Sequence, residues 1–365
     1  MSEKPPTEQV VVYKPKGFKM HSLCVSAFIK IIDRLQRRWL PFGSEPAYII
    51  RNYRPRDFDK LVQLASEVKK LKQTYSCTSP QDLVESLDLP NHFPEKNLFI
   101  AEISRNIAGY VDVVPELNIS RAVLSYMLHP EHHRKVLTKR LVECAVNRAQ
   151  ELRVKTIHVN IPQDNRAAKR LFFKMGFKFV RRFLELRLDL SKARLLKINQ
   201  TASICRCLRR GEEDKLVQVQ NLSFANTWGY SPNTTEEIFY RTSLPNCSPE
   251  DIILACYADK LIGYCWTKID SEENKAITRS KGRIYMLGVI PDHRGKGVGR
   301  QLLLAGLSLL KSRGVLTVEL TVDIENKTAC ALYKSIGFEV RTRSLWYEKV
   351  LDCSIFIGRG DDKPS

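Results

Sequence analysis

From Val289 to Arg300 the chain reads Val-Ile-Pro-Asp-His-Arg-Gly-Lys-Gly-Val-Gly-Arg, with Gly295, Gly297 and Gly299 at alternate positions and Arg294, Lys296 and Arg300 around them. Residues without a Cβ let successive N–H groups turn toward one concave point, where a phosphate oxygen accepts from several of them. The apolar run Ile284 to Ile290 predicts a buried strand before the glycines, and Leu302 to Leu310 predicts a buried helix after them. That helix adds its own free N–H groups and the positive end of its dipole. The stretch therefore has the chemistry of a pyrophosphate cradle. It lacks the Gly-Lys-Ser/Thr ending of a P-loop, and its Gly-x-Gly-x-Gly spacing differs from the Gly-x-Gly-x-x-Gly of dinucleotide folds.

A second patterned stretch follows, Glu325-Asn326-Lys327-Thr328-Ala329-Cys330-Ala331-Leu332-Tyr333-Lys334-Ser335-Ile336-Gly337-Phe338. The segment Arg294-Gly295-Lys296-Gly297-Val298-Gly299 resembles the acyl-CoA-binding motif Arg/Gln-x-x-Gly-x-Gly/Ala of the GNAT superfamily of N-acyltransferases. The later stretch resembles that superfamily's next motif, Asn-x-x-Ala-x-x-Leu-Tyr-x-x-x-Gly-Phe. The resemblance implies direct transfer of an acetyl group from acetyl-CoA, as co-substrate and without a metal, to an amine. It implies a splayed pair of parallel strands in which Leu287, Gly288 and Val289 pair with the pantetheine arm. The N–H of Val289 or Ile290 would hold the tetrahedral oxyanion. Tyr333 matches the general acid that protonates the departing thiolate, and a phenol with pKa near ~10 suits that task. Asn326 would fix the turn beside the pantetheine arm.

The base is left open by the residues. An ammonium must lose a proton before it attacks, and a carboxylate can take it directly or through water. Glu319 and Asp323 share one strand face with Thr321 between them. Family analogy sets Asp323 nearer the active end, both also suit ordinary surface acids, and many relatives use water alone.

At 365 residues the chain has room for two domains, and its apolar and charged fractions (43% and 27%) are those of a globular protein. No apolar run reaches the length of a membrane span, and the N-terminus lacks the pattern of a secretory signal. The ten cysteines are scattered, with no recurring Cys-x-x-Cys pair, which predicts reduced thiols in a cytoplasmic protein and no zinc site. The net charge of +19 is uneven, with 36 Lys/Arg against 20 Asp/Glu in residues 1–200 and 23 against 20 thereafter. A basic first half suits an anionic partner such as RNA, and equally a general basic bias.

The halves repeat each other. Asp59-Lys60-Leu61-Val62-Gln63 recurs as Asp214-Lys215-Leu216-Val217-Gln218, and Ile107-Ala108-Gly109-Tyr110 matches Leu261-Ile262-Gly263-Tyr264. From Pro130 against Pro291 the register holds without a gap through Asn165 against Asn326 to Gly176-Phe177 against Gly337-Phe338. Opposite Gly295, Gly297, Gly299 and Tyr333 stand Arg134, Val136, Thr138 and Phe172. β-Branched residues resist the turn that exposes N–H groups, and Phe172 has no proton to give. The first copy thus keeps scaffold residues and lacks the chemical ones.

These observations imply an α/β protein of two tandem GNAT-like domains, each a twisted mixed sheet flanked by helices. The expected boundaries are a basic extension at 1–46, a degenerate domain at 47–192, a catalytic domain at 193–353 and a polar tail at 354–365. His21 to Leu40 predicts an amphipathic helix in the extension, Phe179 to Leu190 a strand pair, and Trp346 to Leu351 the last strand. The segment from Asn221 to Glu237 has no counterpart in the first half. It resembles the Phe-x-x-x-Trp-Gly-x-x-Pro-x-Thr-x-Glu segment of mycothiol-synthase-like tandem GNAT proteins, which implies that Phe224, Trp228 and Tyr230 bind the acceptor. Thr227 stands where those proteins often carry His, implying a different acceptor, either a small-molecule or a protein amine. An alternative reading keeps the second half as an acyl-CoA sensor and gives the basic first half the recruitment of RNA or another anionic partner.

Overall fold

The computed structural model describes residues 11–12, 48–72, 80–132, 135–193, 204–269 and 281–351. Apart from Val11 and Val12, the basic extension lies outside them, as do the loop at 271–280, the tail and Arg134. The chain divides into two compact units, residues 1–83, 93–114 and 124–149 in the first, and 84–92, 115–123 and 150–365 in the second.

The strands β1 (Val11–Val12), β2 (Ile49–Asn52), β3 (Leu98–Ile103), β4 (Asn106–Glu116) and β5 (Arg121–Leu128) neighbour one another in chain order and belong to the first unit apart from residues 115, 116 and 121–123. Helix α1 (Phe58–Lys72) buries Leu61, Leu64, Ala65 and Val68, the i, i+3, i+4, i+7 stripe of an amphipathic helix. After α2 (Pro80–Leu87) and the short α3 (Pro94–Asn97) comes the β3–β4 hairpin, whose turn sets Ser104 and Arg105 at φ +47° and +67°. Paired positive φ values match the right-handed twist of a hairpin. Helix α4 (Lys135–Glu151) buries Leu137, Leu141, Val142, Ala145 and Ala149.

The second unit holds β6 (Thr156–Pro162), α5 (Arg166–Lys174), β7 (Lys178–Asp189), β8 (Ile204–Cys207), α6 (Glu213–Phe224), α7 (Thr235–Thr242), β9 (Ile252–Tyr257), β10 (Lys260–Ile269), β11 (Lys281–Val289), α8 (Val298–Ser312), β12 (Thr317–Asp323), α9 (Lys327–Ile336) and β13 (Glu339–Val350). Its strand order is β6-β13-β7-β12-β11-β10-β9-β8. Strands β8 to β11 form an antiparallel meander, β11 and β12 run parallel, and β7 and β13 are antiparallel to their neighbours. The final strands of the two repeats are exchanged. β7, from the first, lies between β12 and β13 of the second, and β13 lies between β6 and β7 of the first.

Phe179 to Leu190, expected as a strand pair, falls instead within one unbroken strand of 12 residues. Lys178 to Asp189 contains no Gly, Pro or Asn to make a turn, and both edges of the strand find partners. The last strand is equally long and starts at Glu339 because it pairs with β7 from there.

The core of this unit gathers Leu186 and Leu188 of β7, Val318, Leu320 and Val322 of β12, and Leu302, Leu303, Leu307 and Leu310 of α8. Lys268 and Glu85 form a buried ion pair at 2.8 Å that anchors residues 84–92 into it. No described helix is long and apolar enough to cross a membrane. Gly263 lets β10, β11 and α8 approach, since a Cβ there would sit 2.7 Å from the Gly288 carbonyl and 3.0 Å from Leu302. Gly263→Ala is expected to lower unfolding stability by about 1–3 kcal/mol, read by denaturant titration, and an unchanged midpoint would show that the strands yield at no cost.

Candidate active site

The parallel ladder between β11 and β12 has three rungs, Lys281↔Thr317, Gly282↔Val318 and Arg283↔Glu319, and ends there. Both strands continue, β11 to Val289 and β12 to Asp323, each paired on its outer edge with β10 and β7 respectively. The inner edges therefore bound an opening. Peptide groups alternate between the two edges of a strand. The N–H of Ile290 donates to Ile262 O at 2.9 Å, toward β10. Leu287 and Val289, out of phase with it, thus turn their N–H groups toward the opening. Of the two N–H groups named for an oxyanion, Ile290's already has a partner and Val289's faces the gap.

At the far end of β11, Gly295 and Gly297 have φ +73° and +82°, and Gly297 is the N-cap of α8. Both conformations are strained for a residue with a Cβ. Gly299 has no such φ, and a Cβ there would meet Val289 and Leu332 at 3.7 and 3.8 Å, ordinary contact. Two of the three glycines are thus required by the turn. Lys296 is exposed and Val298 is buried at the head of α8. Arg300 donates to Ser335 Oγ at 2.9 Å and joins α8 to α9. Arg294 braces the backbone, donating to Val289 O at 3.0 Å and Ser223 O at 2.7 Å, so it holds the end of α6 against β11. Gly288 lies under that contact, where a Cβ would be 2.8 Å from Ser223 and 3.0 Å from Phe224.

Asn326 caps α9, its Oδ1 accepting from Ala329 N at 3.1 Å, as Asn165 accepts from Ala168 N at 3.0 Å in the first repeat. Tyr333 is 7% exposed and meets Phe338 edge-on at 5.7 Å. Phe172 and Phe177 repeat that pair at 5.1 Å. Burial pushes the Tyr333 phenol well above its ordinary value, with the Cys265 and Cys330 thiols adding to the effect. Tyr333 shares the core with Cys265 of β10 and Leu302 of α8, and its neighbour Leu332 approaches Val289 around Gly299.

The opposite face of β12 and β7 carries the polar residues. Glu319 accepts from Arg187 at 2.7 Å and from Arg341 at 2.5 Å. Asp323 lies 3.0 Å from Arg181 Nε through one oxygen and accepts from Glu325 N at 3.0 Å through the other. Both candidate bases are thus held in ion pairs. Trp228, half-buried, stacks on His158 at 5.2 Å and 15°, lies near Phe183 and Trp346, and has the Arg181 guanidinium 5.5 Å over its ring. Phe224 stacks on Tyr230 at 5.3 Å. The Tyr230 hydroxyl donates to Asn221 Oδ1 at 2.7 Å and accepts from Asn233 Nδ2 at 3.0 Å, closing the α6–α7 loop, and burial raises its pKa.

His158, Phe183, Arg181 and Trp346 enter this wall without any signal in the sequence, because strand exchange alone brings them beneath Trp228. Arg121 ties the wall together, donating to Gly229 O at 2.5 Å and pairing with Glu116. Its NH1 also lies 3.3 Å from His158 Nδ1, and Nε2 lies 2.8 Å from Glu348. A guanidinium only donates, so Nδ1 accepts and the Nε2 proton goes to Glu348.

Comparison with known proteins agrees with this fold. The acetyltransferase (GNAT) family matches residues 215–338, and the acetyltransferase (GNAT) domain matches residues 48–178. A mycothiol acetyltransferase from Thermomonospora curvata is 30% identical over 234 residues, 64% of this chain and 75% of that protein. The chain belongs to the GNAT acetyltransferase family. It is an N-acetyltransferase of the tandem kind, built from two GNAT folds. A mycothiol acetyltransferase from Streptomyces coelicolor is 26% identical over 317 residues, 82% of this chain and 97% of the relative. A GCN5-related N-acetyltransferase from Sphaerobacter thermophilus shares the fold with a TM-score of 0.66 at 21% identity, over 86% of this chain and 97% of the other. A tandem GNAT protein from the clavulanic acid biosynthesis pathway shares it at 0.64 and 15%, over 84% and 98%.

Two tests of this GNAT site need no ligand. Gly297→Ala is expected to lose about 1–2 kcal/mol of stability while Gly299→Ala keeps or gains stability, and equal effects in thermal unfolding would contradict the assignment of the turn. The second concerns pH. Burial holds the His158 pKa below its ordinary value, Arg121 adds to this, and Glu348 opposes it. The unfolded chain then binds the proton first, near pH ~6.5, so stability is complete above that pH and falls as pH drops toward the folded value. Part of that fall should vanish in His158→Gln, and an identical pH slope in the variant would refute it.

Proposed function

We propose that acetyl-CoA binds and reacts in the second repeat only, and that its acetyl group passes there to the primary amine of a small-molecule acceptor. The observation that carries this reading is the opening between β11 and β12, with Val289 N–H facing into it and Tyr333 beside it. Amides of a pantetheine arm would pair with the inner edge of β11 at Leu287 and Val289. The turn at Gly295 and Gly297, with Lys296 close by, suits the pyrophosphate, and Val298 to Arg300 begin the helix that meets it. Arg294 supports this cradle by fixing its base. Asn326 keeps α9, and with it Tyr333, in place.

In this reading the Val289 N–H stabilises the oxyanion in a site shielded from water. The Tyr333 phenol is protonated at neutral pH, as any phenol of ordinary or raised pKa is, and it supplies the proton for the leaving thiolate. The first repeat lacks these devices. Val136 and Thr138 replace two of the glycines, and Phe172 replaces the acid. Phe224, Trp228 and Tyr230 form the acceptor side with Phe183 and Trp346. The name of the similar proteins, mycothiol acetyltransferase, supports a small-molecule acceptor over a protein lysine.

The test pairs acetyl-CoA with glucosamine, a cysteine-bearing amino sugar, and a lysine peptide, with products read by mass spectrometry. Tyr333→Phe is expected to bind acetyl-CoA as the wild type does and to slow transfer by about 10²-fold or more. Undiminished transfer in that variant would remove Tyr333 from the chemistry. Preference for the lysine peptide would replace the acceptor class.

A further inference from the structure

Three carboxylates stand on the face of β12 and β7 that looks away from α8 and α9. On β12 these are Glu319 and Asp323. The third is Glu185 on β7, the cross-strand partner of Thr321. Cross-strand partners share a face, and Thr321 stands two residues past the last rung of the β11–β12 ladder, where the opening has begun. Leu186 and Leu188, out of phase with Glu185 along β7, point the other way into the core.

The three differ in what holds them. Glu319 is clamped by Arg187 and Arg341, and Asp323 by Arg181 and the backbone of Glu325. Protonating either would break an ion pair. Glu185 accepts one hydrogen bond, from the neutral Thr342 Oγ1 at 3.1 Å, and its second oxygen has no partner among the described residues. It is half-buried, so substrate can reach it. The charged groups around it are Glu319 and Asp323 on β12, Arg181 and Arg187 on β7, Arg341 on β13 and Asp164 in the turn after β6. Burial raises the Glu185 pKa, Glu319 and Asp164 add to the rise, and Thr342 and Arg341 oppose it. A carboxylate closer to neutral pH is a better proton acceptor than one held in an ion pair.

We propose that Glu185, carried by the first repeat, is the general base for acetyl transfer in the second. The proposal rests on the catalytic reading given above. The acceptor ammonium enters under Trp228 and loses one proton to the Glu185 carboxylate through a water. One strand spacing of about 4.8 Å separates β7 from β12, and the opening begins at the far edge of β12, so the glutamate side chain and one water reach across the face of that single strand. The neutral amine then forms the C–N bond to the thioester carbon, and the Val289 N–H holds the oxyanion. Collapse breaks the C–S bond, and the thiolate takes the Tyr333 proton. The nitrogen gives up its second proton, which restores Tyr333 through solvent. The sum is ammonium plus acetyl-CoA to amide, CoA thiol and one proton, released from Glu185 to water. Base and acid thus work from opposite faces of one opening.

The test uses the full chain with acetyl-CoA and whichever of the three panel amines the wild type acetylates fastest, with kcat/KM measured across pH 5 to 9.5. Wild-type activity should fall as pH drops through a pKa above the ordinary glutamate value. Glu185→Gln should lose about 10²-fold or more at pH 7 and lose that acid limb. Its deficit should shrink as pH approaches the pKa of the amine itself, because a neutral amine needs no base. Glu185→Asp should recover part of the activity, while acetyl-CoA affinity and melting temperature stay at wild-type values. A Glu185→Gln profile that keeps the acid limb, or a deficit constant with pH, would overturn the assignment. A wild type that binds acetyl-CoA yet acetylates none of the amines would contradict the catalytic reading itself.

Discussion

Two parallel strands that stay in register for three rungs and then part leave backbone groups along the inner edge of each without sheet partners. Each such group, if buried and unpaired, costs on the order of 1–3 kcal/mol. The separation persists because both strands are fully engaged elsewhere, β11 with β10 and β12 with β7. Helix α8 then fixes the end of β11 through Gly297, and Arg294 ties that end to α6. In the function proposed, a ligand bearing its own amides completes the ladder that the protein leaves open.

The exchanged strands give the first repeat a structural part in the second, since β7 closes the outer edge of β12. Without β7, the outer edge of β12 would be bare and nothing would hold it away from β11. The first repeat shares with the second the asparagine cap, Asn165 at the head of α5, and the aromatic pair Phe172–Phe177. The same exchange places Phe183, Arg181 and Glu185 of the first repeat beside Asp323 and Trp228 of the second, so one face draws on both halves of the sequence.

Local signals are legible in the amino-acid order alone. The glycine turn, the capping asparagine, Tyr333 and the repeat register all depend on residues close in sequence or on direct comparison of the halves. The Thr234–Glu237 capping box of α7 is equally readable in the segment around Trp228, although the helix it starts is only eight residues long. Partners set by distant pairing are hidden. A twelve-residue strand flanked on both sides reads as a hairpin, because strand length in that stretch is decided by β12 and β13. Arg294 reads as a charge beside the phosphates because charge type is written in the sequence, whereas the carbonyls of Val289 and Ser223 that accept its hydrogen bonds are brought together only by folding. Glu319 and Asp323 read as candidate bases or ordinary surface acids, and their ion pairs are hidden for the same reason, since Arg181, Arg187 and Arg341 are remote from them in sequence.

The most direct measurement is calorimetric titration of acetyl-CoA into the full chain, with the number of sites as the readout. The function proposed, with acetyl-CoA held at the glycine turn of the second repeat, predicts one site per chain, lost in Gly297→Val. Two sites would restore the first repeat to function. Absence of binding would contradict the cradle in both.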